Sequence, residues 1–101
     1  MNSEVVARTT DPDGREVVYD ERARRHIEGR RPDLSGQVDS IIGAVSLPDY
    51  REDDPVGGRE RYYRRNILHP RRWLRVIVDL NESPARIVTV LIQQNDPRKS
   101  R

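Results

Sequence analysis

The side chains best suited to chemistry in this sequence are a histidine set among arginines and a run that interleaves arginine with tyrosine. His26 stands among Arg22, Arg25 and Arg30, and on a helix Arg22 and Arg30 fall one turn to either side of it. Neighbouring cations disfavour the imidazolium, so the spacing predicts a neutral ring able to accept a proton, as a general base in RNA cleavage must. A lone histidine on a helix equally fits a structural or solvent-facing role. His69, followed by Pro70, reads as a loop residue.

The second group is Arg59-Glu60-Arg61-Tyr62-Tyr63-Arg64-Arg65. Arginine presents a planar fork of donors that suits phosphate, and tyrosine stacks on an unpaired base or donates its hydroxyl to a phosphate oxygen. Arg59, Arg61 and Arg65, with Arg75 and Arg30, are therefore candidate substrate contacts. The same run also fits an edge strand kept soluble by its charges. Thr89 carries a hydroxyl into an otherwise aliphatic stretch; it serves either as strand filler or as a phosphate ligand.

Composition narrows the reactions available. The chain of 101 residues has no cysteine and two histidines, which excludes thiol catalysis, disulfides and thiolate zinc. No metal and no cofactor are expected, and none of the phosphate-loop, nucleophile-elbow or zinc-protease motifs occurs. The acids Glu52, Asp53 and Asp54 read as a solvated run. The net charge of +2 conceals an asymmetry: residues 59–75 hold seven arginines against one acid, Glu60. Such a local basic stripe is the usual footprint of a phosphate-bearing partner.

These residues need elements to position them. Glu4 to Thr10 and Arg15 to Tyr19 read as a hairpin around the turn Asp11-Pro12-Asp13-Gly14, where Pro and Gly suit the tight reversal. Asp20 is a good N-cap for a helix over about 20–30, which Pro32 ends. Ser35 then caps a second helix whose Val38, Ile41, Ile42 and Val45 face a core. Residues 50–58 read as a mobile loop, and three strands follow at about 59–67, 73–80 and 86–93. The expected fold is a single α+β domain over 1–101: a strand or hairpin at 1–19, helices at 20–46, a sheet at 59–93 and a polar tail at 94–101. The N-terminal helices are expected to pack on one face of a C-terminal antiparallel sheet of about four strands.

Period-two alternation assigns the faces. Leu74, Val76, Val78 and Leu80 share one side of the middle strand, with Trp73, Arg75, Ile77 and Asp79 on the other. In the last strand Val88, Val90 and Ile92 oppose Ile87, Thr89 and Leu91. The mixed side, with Arg75, Asp79 and Thr89, is where chemistry is expected.

Taken in order, His26-Ile27, Arg31-Pro32-Asp33-Leu34, Leu47-Pro48-Asp49, the Arg/Tyr strand and Ile87-Val88-Thr89-Val90 resemble the small metal-independent nuclease toxins of the barnase, EndoU, colicin and RelE-like superfamily, in its phage- and polymorphic-toxin branch. The resemblance covers about residues 20–93. It implies an endoribonuclease that cleaves RNA, tRNA included, by attack of a 2′-hydroxyl on the adjacent phosphate. It implies catalytic roles for His26, for Arg64 with Tyr62 or Tyr63, and for Thr89. At Arg31 relatives are expected to carry a second histidine, so a tyrosine or a water must supply the second proton function here.

Two other functions fit the same residues: a nucleic-acid-binding regulator that cuts nothing, and an interaction or immunity-like module whose arginines meet an acidic protein. If the chain is a toxin, the expected partners are RNA and an acidic antitoxin or immunity protein. No apolar run of 18 residues and no signal-like N-terminus is present, so no membrane partner is expected. The expected location is the cytoplasm of the producing cell, or that of a target cell into which the domain is delivered.

Overall fold

The computed structural model describes residues 4–65 and 71–99. Strands β1 (Val5–Thr10) and β2 (Glu16–Asp20) precede helices α1 (Glu21–Arg30) and α2 (Val38–Ser46), and β3 (Tyr50–Asp53), β4 (Arg59–Arg65), β5 (Trp73–Asp79) and β6 (Ala85–Gln93) follow. All six strands form one mixed sheet in the order β1-β2-β6-β5-β4-β3. This corrects the expectation of N-terminal helices on one face of a C-terminal antiparallel sheet of about four strands: the sheet is mixed, has six strands, and two of them precede the helices. The hairpin is an integral part of the sheet, because β2 runs parallel to β6 through Val17↔Ala85 and Val18↔Arg86. The helices lie within the crossover between β2 and the later strands.

Local chemistry builds each part. Asp11 closes the β1–β2 turn: its Oδ1 accepts from the backbone N–H of Asp13 at 3.0 Å and of Arg15 at 2.9 Å. Gly14 supplies the required positive φ of 84°. Asp20 caps α1 by accepting from the Ala23 N–H at 2.9 Å. Ion pairs of Arg24 with Glu21 and Glu28 support the exposed face of α1, while Ala23 and Ile27 are buried. After Pro32 the chain makes a short 3₁₀ turn, Pro32–Leu34, so α2 begins at Val38 with no side-chain cap and Ser35 lies outside it.

Ile27, Ile41 and Val45 share one core with Leu74, Val76 and Val90, which places both helices on the same face of the sheet. At roughly 1.5–3 kcal/mol for each large aliphatic group removed from water, this face carries most of the stability. A register shift between β5 and β6 pairs Val78 with Ile87 and Ile77 with Thr89. Such a bulge adds a residue on one strand and turns Ile87 into the core, against simple alternation.

The two ends of the sheet also meet. The Asp11 turn, at the β1 end, lies against Tyr62 and Arg51 of β4 and β3: Tyr62 donates to Asp11 Oδ2 at 2.6 Å and Arg51 reaches Asp13 at 2.8 Å. Strands at opposite ends of the order touch through this turn, so the sheet is strongly coiled around the helices. Arg51 also binds Glu60 at 2.6 Å and lies over the Tyr62 ring at 4.9 Å.

Candidate active site on the open face of the sheet

On the face away from the helices, cross-strand register stacks side chains into rows. Glu52, Arg61, Ile77 and Thr89 form one row; Tyr50, Tyr63, Arg75 and Leu91 the next; Arg65, Trp73 and Gln93 a third. Rows lie about 7 Å apart, two residues along a strand. The mixed side expected to hold the chemistry is therefore present, with Arg75, Asp79 and Thr89 on it.

A cleft of about 420 Å³ opens on this face, lined by Glu52, Arg61, Tyr63, Arg75, Gln93, Gln94, Asn95 and Pro97. At its centre the Tyr63 hydroxyl donates to Glu52 Oε2 at 2.7 Å and accepts from Arg61 Nη1 at 3.4 Å. Burial pushes the Tyr63 phenol above its ordinary range and the bond to Glu52 adds to this, while Arg61 and Arg75 pull the other way. Arg61 is held from behind by Asp54 at 2.7 Å, so its fork is fixed in orientation. Burial of that carboxylate opposes its charge, but Arg61 and the Val56 N–H outweigh this and hold Asp54 below the usual range. Arg75 Nε is buried and has no hydrogen-bond partner among the described residues, while its guanidinium lines the cleft beside Tyr63.

The chain beyond β6 forms the other wall. Pro97 is buried, and Arg98 lies over the Trp73 ring at 5.1 Å, as does Arg65 at 5.5 Å. Trp73 is thus covered by guanidinium groups, which leaves little of its ring for a base.

The other predicted site residues scatter. Tyr62 points into the core on the helix side, fully buried and bonded to Asp11. Arg64 is on that same side and donates to the Gly43 carbonyl near the C-terminal end of α2 at 3.1 Å, where positive charge is favoured. His26 and Arg30 are exposed on α1, across the sheet from the cleft. Arg59 and Arg65 belong to the open face, Arg59 opposite Asp79. Thr89 lies one row from Tyr63. His69 lies outside the described residues. The basic stripe is also less positive than its sequence, because Arg61 is paired with Asp54 and Glu52. Glu52 itself is hidden in an acidic run; the alternation of Tyr50 and Glu52 with Arg51 and Asp53 is the signal that would have revealed a strand.

Among the described residues, no three His, Asp or Glu side chains are grouped to hold a metal ion, and no helix is long and apolar enough to cross a membrane. No protein-family model, curated protein or solved structure matches the chain.

Proposed function

We propose that the chain is an endoribonuclease that works from the open-face cleft. The observation that carries this reading is the convergence of the Glu52 carboxylate, the Tyr63 phenol and the Arg61 and Arg75 guanidiniums in one cleft. Transesterification of RNA needs these functions: a proton acceptor, a proton donor and cations for the charge that grows on phosphorus. Glu52 takes the proton of the 2′-hydroxyl as its oxygen bonds to phosphorus. The bond from phosphorus to the 5′-oxygen breaks, and Tyr63 protonates that oxygen. The products are a 2′,3′-cyclic phosphate and a 5′-hydroxyl. The bond between Glu52 and Tyr63 then returns the proton to the phenol, restoring both groups. Arg61 and Arg75 hold the phosphoryl oxygens, and the raised Tyr63 pKa keeps the phenol protonated until the strongly basic leaving oxygen forms.

The order of short motifs that resembles the barnase, EndoU, colicin and RelE-like nucleases supports the same reaction, though here His26 stands across the sheet and takes no part. The test is incubation of purified protein with total RNA or tRNA in chelator. Cleavage leaving cyclic phosphate ends is expected, reduced roughly 10²-fold or more in Glu52→Gln and in Tyr63→Phe and unchanged in His26→Ala. Intact RNA at micromolar protein, or full activity in Glu52→Gln, overturns the proposal. RNA that is bound with a steep salt dependence but left uncut would make the protein a binder instead.

A further inference from the structure

The cleft has two chemically different walls. Charge and proton-transfer groups line one side, whereas Gln93, Gln94 and Asn95 line the other with uncharged amides. Amides add little to phosphate binding but suit the edge of a base, whose donors and acceptors lie side by side. We propose that this amide wall, with Gln93 at its centre, recognises the base of the nucleotide in the cleft and selects adenine. The proposal rests on the nucleotide-binding reading of the cleft given above and names the base that it takes.

Gln93 belongs to the open face, in the row of Trp73. Its Nε2 donates to the Asn95 carbonyl at 2.8 Å. A carbonyl only accepts, so this bond fixes which end of the amide is nitrogen. One Nε2 hydrogen is consumed by that bond; a glutamine amide keeps a second hydrogen and the Oε1 acceptor. Adenine offers the complement along its N6 and N7 edge, a donor beside an acceptor, and glutamine pairs with that edge through two hydrogen bonds. Guanine offers two acceptors there, O6 and N7, which sets one of them against Oε1.

The wall is also prepared before a ligand arrives. Asp96 accepts from the Arg98 backbone at 2.9 Å and from its guanidinium at 2.8 Å. Arg98 lies on Trp73, and buried Pro97 completes the anchor. A segment held at both ends of Gln94 to Asp96 keeps the Asn95 carbonyl in place for Gln93, so little ordering is needed on binding. The cleft volume of about 420 Å³ falls in the range of roughly 300–1,000 Å³ typical of small-ligand sites and suits one nucleotide.

The experiment has a binding arm and a cleavage arm. In the first, adenosine 3′-monophosphate and guanosine 3′-monophosphate are titrated into the intact protein and followed by calorimetry. Adenosine monophosphate is expected to bind roughly tenfold more tightly or better. That ratio should fall toward parity in Gln93→Ala and in Gln93→Met, the second of which keeps the side-chain length if the first fails to fold. In the second arm, the ends produced from a random-sequence RNA are mapped, and cleavage should cluster at adenine in the wild type alone. Equal binding of the two nucleotides, a preference for guanine, or a preference that both variants retain overturns the proposal. If RNA stays intact while the adenine preference is present and lost in the variants, base recognition stands and the nuclease reading fails. If RNA is cut with no base preference, the nuclease reading stands and base recognition by Gln93 fails.

Discussion

Tyr62 and Tyr63 are neighbours in sequence, yet the pleat of β4 sends them to opposite faces, and removing one hydroxyl from each should separate stability from chemistry. The Tyr62 hydroxyl lies 2.6 Å from Asp11 Oδ2, and Asp11 is 3% exposed, so no water replaces the lost donor. A hydrogen bond to a buried charge contributes about 1.5–3 kcal/mol. For a domain of this size each kcal/mol moves Tm by roughly 4–8 °C, so Tyr62→Phe should lower Tm by about 6–24 °C. The Tyr63 hydroxyl instead bonds Glu52, whose side chain keeps 27% of its exposure, and water compensates in part. Tyr63→Phe should cost at most about 1.5 kcal/mol while cleavage falls.

A pH arm gives an independent check. Burial alone would push the Asp11 carboxyl up, but hydrogen bonds from Tyr62, Arg15 and Asp13 and the charge of Arg15 hold it below its ordinary range. A carboxyl lowered on folding contributes stability that is complete above its unfolded value, near pH ~4, and disappears as pH falls through the folded one. Tyr62→Phe removes one cause of that lowering, so its loss of stability between neutral pH and pH ~3 should be smaller than the wild type's. The assays are thermal unfolding by circular dichroism and RNA cleavage at a temperature below both transitions. A Tyr62→Phe protein with unchanged Tm and no cleavage would refute the reasoning.

Tyr19 is fully buried and its hydroxyl has no hydrogen-bond partner among the described residues, with burial pushing its pKa up to about 12. Tyr19→Phe should therefore raise stability by about 1 kcal/mol in denaturant unfolding, since an unsatisfied buried hydroxyl costs roughly 1–3 kcal/mol; a loss would contradict this. Gly58 holds φ at 80°, and a Cβ there would collide with the Asn81 side chain. Gly58→Ala should lose about 1–2 kcal/mol in the same measurement. Arg64→Met should destabilise the fold modestly, by about 0.5–1.5 kcal/mol, through the lost bond to Gly43, and leave base preference in RNA cleavage unaltered.

Much of the local structure is legible in the sequence because its causes are local. The Asp11 to Gly14 turn, the Asp20 cap, the Pro32 stop and the apolar stripe of α2 all depend on residues within a few positions of one another. The strands β5 and β6 are equally readable, since both alternate. β3 is not: Tyr-Arg-Glu-Asp has no aliphatic residue, and it pairs as an edge strand through ion pairs with β4, between Arg51 and Glu60 and between Glu52 and Arg61. Ser35 resembles a cap, but the tight turn after Pro32 delays the helix by two residues, to a start at Val38. Ile87 departs from the face that alternation assigns it because a bulge depends on the partner strand, not on the period of its own.

By itself the sequence determined part of the composition of the candidate site: arginine and tyrosine on one strand, no thiol, and too few histidines for a metal centre; Glu52, in the segment before that strand, reads from sequence only as part of a solvated acidic run. The sequence also determined which segments bury an aliphatic face. Tertiary structure alone decided which of those groups meet. Parallel pairing of β2 with β6 brings together residues almost seventy positions apart, and coiling of the sheet carries Asp11 to Tyr62. Both tyrosines are buried, but Tyr62 is a structural donor to Asp11 on the helix side, Tyr63 bonds Glu52 on the cleft side, and His26 stands across the sheet. The physical reason is that facing in a strand follows from its own period, whereas adjacency between strands is set by the packing of the whole core, which no single segment encodes.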